Sequence, residues 1–494
     1  MSDTNAAASP EMITGGTAHF GMVGLAVMGQ NLVLNMVDNG YTVAVYNRTT
    51  SVTDDFVARN PDATLIGAND LVELAAALER PRKVMMLVKA GGPVDAVIGG
   101  LLEVLEPGDV IIDGGNSEWR DTNRRQKTVE DAGLLYVGSG VSGGEEGARH
   151  GPSMMPGGSP AAWPLIKGVF EAVAAEAEGE PCAGWLGSGG AGHFVKMVHN
   201  GIEYGDMQVL AETYGLMQAM GYDNARIGGV FDSWRTTELQ SYLVDITADI
   251  FNTKEEDGTW TIDLILDAAQ QKGTGKWTVI DAMESGQPVM LVAEAVGARM
   301  VSSFVELRAA ASEVLPGPSE ASEKALALTP DRLKDAVYAA KIVSYTQGFM
   351  LLADASDEQN WDLDMGLVAA VWREGCIIRA RFLNDITAAY RKNPELANLM
   401  LDEFFVAEIS RTHAGLRAVV AAAAEAGVAA PAMSSALAFY DGFRRRRGTA
   451  NLIQGLRDYF GAHTYERVDR PRGEWFHTDW AKTGGSITSN NYNV

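Results

Sequence analysis

Five short apolar runs punctuate the first part of the chain: His19–Val23, Thr42–Tyr46, Val84–Val88, Val110–Asp113 and Leu134–Val137. Each ends at glycine or a polar turn, and segments of helical period such as Gly29–Asn39 lie between them. Continuous apolar runs, unlike alternating ones, mark strands buried on both faces. The alternation predicts an α/β domain with a doubly wound, mainly parallel sheet. At Gly187–Gly192 (GSGGAG) the pattern changes to a 3.6-residue period that holds to about Tyr440. Helices are predicted at Leu210–Met220, Glu238–Phe251, Ile262–Ala269, Val292–Ala310 and Leu367–Ala388, with Pro316–Pro318 and Pro330 marking loops. Periodicity weakens from about Thr449. The expected organisation is an extension over 1–17, a sheet domain over 18–189, an all-helical domain over 190–447 and a small C-terminal tail over 448–494.

One helical stretch is unusual. In GHFVKMVHNGIEYGDMQ, residues 192–208, Lys196, His199, Asn200 and Glu203 recur at i, i+3, i+4 and i+7. Phe194, Met197, Val198, Gly201 and Ile202 take the other side. Lys196 and Glu203 are two turns apart, roughly 10 Å along the axis. On spacing alone such a stripe is a solvated face.

Composition narrows the classes. The longest Ala/Val-rich stretch, around Val419–Tyr440, is broken by Glu425 and Pro431, so no membrane span is expected. The first residues carry neither a basic segment nor an apolar one and read as a flexible extension. Two cysteines, Cys182 and Cys376, cannot build a disulfide framework, and a reducing cytoplasm is the simple inference. The seven histidines show no metal-ligand spacing, so no metal is expected. A formal charge of −24 argues against general nucleic-acid binding. The run Arg444–Arg447 reads as a solvated helix end or loop. An acidic chain that handles anions must concentrate its cations locally.

The strand ends show where. Gly24-Leu-Ala-Val-Met-Gly29 follows the first strand, where small residues let a backbone approach a pyrophosphate at a helix N-terminus. Ala26 stands at the middle glycine position, so this motif alone is weak. The second strand leads into Asn47-Arg48-Thr49 where an NAD site would carry a carboxylate for the ribose. A guanidinium with amide and hydroxyl neighbours suits a 2′-phosphate, so NADP is the expected coenzyme. Val88–Gly91, Gly114–Ser117 and Ser139–Gly144 follow three more strands. Together they predict a crevice.

Assembled, these segments resemble the 6-phosphogluconate dehydrogenase family, decarboxylating type. The matching strings are GLAVMGQN (24–31), NRT (47–49), LVKAG (87–91), IIDGGNSEW (111–119), GSGVSGGEEGAR (138–149) and GPSMMPGG (151–158). They continue with GAGHFVKMVHNGIEYGDMQ (190–208), QKGTGKWT (271–278), WREGCIIRARFLN (372–384) and RDYFGAHTYER (457–467). The resemblance implies a Rossmann-like coenzyme domain, a large all-α domain and a C-terminal tail that threads through the partner of a homodimer. It implies coenzyme contacts from Gly24, Leu25, Ala26, Val27, Met28, Gly29, Asn47, Arg48, Thr49, Val88, Lys89, Ala90 and Asn116. It implies substrate contacts from Asn116, Ser142, Gly143, Gly144, Lys196, His199, Asn200, Glu203, Tyr204, Lys272 and Arg299. Arg457 and His463 are expected to complete the neighbouring subunit's site. Departures from the family pattern fall at Trp119, where Tyr or His is commoner, at Glu374, where Gly stands in the family, in 444–452, and in Val301–Pro318, which follows the pattern only loosely.

The activity so implied is oxidative decarboxylation of 6-phosphogluconate to ribulose 5-phosphate with NADP reduction, in the pentose phosphate pathway. Lys196 would act as base and then acid, and Glu203 as the acid that protonates C1 of the enediol. The rival readings are a dehydrogenase of the 3-hydroxyisobutyrate type and a catalytically silent protein on the same scaffold. The first lacks QKGTGKW and RDYFGAHTYE; the second predicts losses at Lys196, Glu203 or the glycine loop, and none is seen.

Overall fold

The computed structural model describes residues 16–271, 273–318 and 322–482. The extension up to residue 15, Lys272 and the last twelve residues of the chain lie outside the described residues. The chain packs as two compact units, Met1–Ala436 and Leu437–Val494.

The first unit opens with a seven-stranded sheet: β1 (Phe20–Val23), β2 (Val43–Tyr46), β3 (Leu65–Gly67), β4 (Lys83–Met86), β5 (Val110–Asp113), β6 (Leu135–Ser142) and β7 (Ser153–Gly158). Its order is 3-2-1-4-5-6-7; every pair is parallel except β6–β7. Successive side chains serve opposite faces, and both faces are covered. Met22, Val43, Val45, Met85 and Ile112 pack with Leu32, Val33 and Met36 on one side. Val23, Ala44, Val84, Met86 and Ile111 pack with Leu74, Ile98, Leu101 and Val129 on the other. This is why the strands read as unbroken apolar runs.

The remainder of the unit is helical, but the predicted helices differ in extent. The stripe and Leu210–Met220 belong to one 29-residue helix, Ala191–Ala219, called the site helix below. Pro330 does not mark a loop; it is the first residue of the 30-residue helix Pro330–Gln359, capped by Thr329. Proline suits that place because the first-turn N–H groups lack intrahelical partners. Glu238–Phe251 starts later than expected, at Tyr242, with Ser241 as cap. Ile262–Ala269 shrinks to the single turn Thr261–Leu264.

Two predicted helices break. Val292–Ala310 divides into Met290–Ser302 and Val305–Ser312. There the Ser302 and Ser303 hydroxyls donate to the carbonyls of Arg299 and Met300, both at 2.7 Å, competing with the helical ladder. Leu367–Ala388 divides into Met365–Val371 and Phe382–Lys392. Gly375, at φ +66°, turns the chain between them, and its carbonyl accepts from Ser153 N on β7 at 2.7 Å.

In the second unit the weakening period conceals a regular helix, Ala450–Gly461. The short hairpin Tyr465–Glu466 with Trp475–Phe476 follows. Buried Asp458 organises this unit, accepting from Thr464 N, Thr478 N, His477 Nδ1 and Trp480 Nε1 at 2.8–3.0 Å. Arg444–Arg447 is exposed and follows the end of a helix, as expected.

Candidate active site

Strand order reverses at β1, which lies between β2 and β4. Such a switch point opens a crevice beyond the strand ends. Gly24, at φ +98°, makes the turn, and a Cβ there would sit 2.6 Å from Leu87 O. One on Gly29 would sit 2.0 Å from Gly24 O. Ala26 is different: its backbone is extended (φ −73°, ψ 178°), a conformation alanine adopts freely. The incomplete glycine pattern therefore still builds the tight turn. The helix Val27–Asp38 begins with no side-chain cap, leaving its first N–H groups for an anion. Leu25 N donates to Asn47 Oδ1 at 3.1 Å, tying the loop to the end of β2, where Arg48 and Thr49 are exposed. Val88 lies against Gly24, followed by exposed Lys89 and half-buried Ala90. These residues fit a dinucleotide.

Asn116 is exposed on the next loop, which Asp113 holds. Its carboxylate accepts from Gly115 N at 3.0 Å and from Ser117 Oγ at 2.6 Å. Buried Arg125 donates to Ser117 Oγ and to Gly91 O, at 3.2 and 3.1 Å, so one guanidinium stitches two strand-end loops. Its hydrogen bond holds the Asp95 carboxyl down at about 2. Local sequence does not reveal this role, because Arg120 and Arg124 share the same RDTNRRQK run and are exposed.

The site helix lies on β6 and β7 at backbone distance. A Cβ on Gly192 would fall 2.3 Å from Met155 O and 2.4 Å from Gly138 O; one on Gly140 would fall 2.4 Å from Lys196 Cβ. Glycines on both partners remove the layer of side chains that normally separates helix from sheet. The helix is consequently buried all round at its start, and the stripe is not solvated. Lys196, His199 and Asn200 are 6%, 0% and 8% exposed.

The structure brings Lys196, His199, Asn200, Glu203 and Ser142 together. Lys196 Nζ donates to Ser142 Oγ at 2.9 Å and lies 3.3 Å from His199 Nδ1. His199 Nδ1 is 3.1 Å from Asn200 Oδ1 and 3.8 Å from Glu203 Oε2; its Nε2 is 3.4 Å from Ser142 Oγ. One proton arrangement is compatible with these four contacts of Lys196, Ser142, His199 and Asn200. A neutral lysine lone pair and Asn200 Oδ1 share the Nδ1–H, and Ser142 donates to Nε2. Burial pushes the Lys196 ammonium pKa down, against the opposing pull of Glu203. Burial, with the adjacent Lys196, holds His199 well below its ordinary range. Gly143 and Gly144, both at positive φ, follow Ser142 directly. The Trp372 ring meets the His199 imidazole edge-on at 5.6 Å.

Further along the helix, the Arg299 guanidinium lies 3.6 Å above the Tyr204 ring. Gly275, in the strand-distant string KGTGK, leaves room for that ring: a Cβ there would be 2.6 Å from it. Lys272 lies outside the described residues. Arg457 and His463 belong to the second unit. Arg457 Nη1 donates to Gln454 Oε1 at 3.0 Å. It lines a cavity of 830 Å³ shared with Arg447, Arg467, Arg472, Trp475 and Trp480. The His463 ring stands 5.9 Å from that of Phe460.

A doubly wound sheet with a dinucleotide cradle, joined to a helical domain that presents a buried lysine, defines a dinucleotide-linked dehydrogenase. Residues 19–187 match the NAD binding domain of 6-phosphogluconate dehydrogenase, and residues 192–480 match the C-terminal domain of that enzyme. The chain belongs to the 6-phosphogluconate dehydrogenase family. It is 52% identical over 482 residues to the decarboxylating 6-phosphogluconate dehydrogenase of Caenorhabditis elegans, covering 97% of this chain and 99% of the relative. The Mus musculus enzyme is 51% identical, with the same coverage of each chain. A solved structure of the Plasmodium falciparum enzyme superposes with a TM-score of 0.88 at 42% identity, over 93% of this chain and 100% of the other. That protein is described in its apo form, with its cofactor NADP+ and with its substrate 6-phosphogluconate.

Proposed function

We propose that the chain oxidises 6-phosphogluconate at C3 and releases its carboxylate as CO2, giving ribulose 5-phosphate and NADPH. The observation that carries this reading is the buried amine of Lys196, hydrogen-bonded to Ser142 beside His199, with Glu203 on the same helical face. With its ammonium pKa lowered by burial, Lys196 in its neutral form accepts the C3 hydroxyl proton. NADP, when bound, supplies the hydride acceptor. The resulting β-keto acid loses CO2 as its C3 oxygen takes the same proton back from Lys196, leaving an enediol. Glu203, as the carboxylic acid, then protonates C1 while Lys196 receives the enediol hydroxyl proton. Ser142, His199 and Asn200 orient the substrate, and Tyr204, Lys272, Arg299 and Arg457 provide its phosphate with donors. Asn47, Arg48 and Thr49 at the end of β2 favour NADP over NAD.

The working form is a homodimer in which Arg457 and His463 complete the partner's site. Leu264, Leu266, Met283, Phe304 and Leu307 are more than half exposed in the first unit, as are Leu452, Ile453, Leu456, Tyr459 and Phe460 in the second. Apolar surface of this extent fits a subunit interface. Mixing and reassociating Lys196→Ala and Arg457→Ala chains tests the sharing. Heterodimers carry one intact site, so about a quarter of wild-type activity should return from two inactive parents; no recovery from verified heterodimers contradicts it. Free, buried Cys182 and Cys376 accord with a cytoplasmic location, and among the described residues no helix is long and apolar enough to cross a membrane.

A further inference from the structure

The loop that carries Asn116 runs directly into Trp119, the first residue of the helix Trp119–Asp131, with Glu118 as its cap. Trp119 is 7% exposed. Its indole N–H donates to Asp281 Oδ1 at 3.2 Å. Arg120 Nη1 meets the same oxygen at 2.7 Å, its Nη2 reaches Glu284 at 2.7 Å, and its guanidinium lies 4.5 Å above the Trp119 ring. The Trp119 ring also packs edge-on against Phe194 and Trp361, at 5.7 and 5.4 Å. Phe194 is two residues before Lys196.

Asp281 is on the helix Thr274–Glu284. The same short helix holds the substrate side at two further points. Thr278 Oγ1 donates to Met197 O on the site helix at 2.8 Å, and Thr278 fills the space above Gly201. Gly275, one turn earlier, seats the Tyr204 ring. One helix of three turns therefore touches Trp119 and Arg120, the first residues after the Asn116 loop, near one end and the Tyr204 ring near the other. Desolvation opposes the charge on Asp281 and raises its pKa, and the contacts from Trp119 and Arg120 counter part of that effect.

We infer that Trp119, Arg120 and Asp281 form a positioning clamp that transmits coenzyme binding at the Asn116 loop to the substrate pocket, so that each ligand alters the affinity for the other. No member of the clamp is assigned a contact with substrate or coenzyme. The inference rests on the functional reading given above. It requires a coupling free energy between two sites, which is reciprocal whichever ligand binds first.

The test uses the intact wild-type chain with NADPH and 6-phosphogluconate, a pair that binds without turnover. The Kd of NADPH is titrated with and without saturating 6-phosphogluconate, and the ratio of the two is the coupling factor. About a fivefold factor or more is expected in wild type, within the usual range of such couplings. Trp119→Phe, which keeps the ring but loses the N–H donor, and Asp281→Asn, which keeps the acceptor but loses the charge, should bring it to about one while each binary Kd changes less than about twofold. Restoring the ring donor in a Trp119→His variant should recover part of the factor. Wild-type coupling in folded Trp119→Phe and Asp281→Asn overturns the clamp, as does a factor of one in wild type. Binary affinities that fall as steeply as the ternary ones also overturn it, because they reveal a merely structural role. If wild type binds neither ligand, the functional reading fails and the clamp with it.

Discussion

Lys196→Ala should lower kcat by about 10³-fold or more, the loss expected when a residue serves as base in one step and acid in the next. Both NADPH formation and CO2 release should fall together, since one amine is proposed to serve both steps. In the wild-type chain kcat/KM should rise with pH through the lowered pKa of Lys196, because only the neutral amine accepts a proton. The same burial has a thermodynamic signature of fixed sign. With its folded pKa below the unfolded value of about 10.4, Lys196 binds fewer protons folded than unfolded between the two, so stability rises with pH across that window. The penalty is full below the folded pKa and fades toward the unfolded one. Lys196→Met should accordingly be more stable than wild type at neutral pH while inactive, with the gain shrinking as pH approaches about 10. Denaturant titration at several pH values reads this directly, and a Met variant less stable than wild type at neutral pH contradicts it.

Gly192→Ala should be the most damaging small substitution in the sheet-facing part of the site helix. Its methyl group would meet backbone atoms of two strands, Met155 O and Gly138 O at 2.3 and 2.4 Å and Gly157 N at 2.7 Å, and none of these can swing away. The helix must lift from β6 and β7, which separates Lys196 from Ser142. A cost of about 3 kcal/mol or more is expected, seen as a fall in Tm of roughly 5 °C or more, with loss of activity. Gly168→Ala is the matched control. It too is helical, but a Cβ there meets nothing within 4 Å. It should stabilise by roughly 0.5 kcal/mol and leave activity intact. Equal effects of the two substitutions would remove the backbone-contact explanation.

The contrast between these glycines bears on what the chain revealed before folding. Apolar runs and their glycine ends are local features, so five of the seven strands and the dinucleotide crevice followed from short windows; β3, the three-residue edge strand Leu65–Gly67, was too short to stand out. β7 did not follow either, because SMMPGG carries proline and glycines that argue against a strand. It forms because it pairs along its whole length with β6 at the sheet edge, and its Gly157 is needed where the helix lands. The polar stripe was legible as geometry but not as environment. Its burial comes from Gly138, Gly140, Gly157, Thr278 and Trp372, residues distant in sequence from Lys196. Helix breaks at Ser302–Ser303 and at Gly375 were equally hidden, since a hydroxyl turning back onto a carbonyl leaves the apolar period unchanged. Arg125 and the Trp119–Asp281 contact depend on pairings across long stretches of chain, and no periodicity reports them.

The proposed division of labour along one helical face gives Lys196 oxidation and decarboxylation and Glu203 the final protonation. A rapid-quench experiment on Glu203→Gln with NADP and 6-phosphogluconate labelled at the carboxylate separates the two. The expected result is a burst of about one NADPH and one CO2 per active site, followed by turnover slowed about 10²-fold or more as the enediol waits for a proton. Absence of the burst, or steady turnover near wild type, would contradict the assignment of Glu203 and with it the account of the stripe.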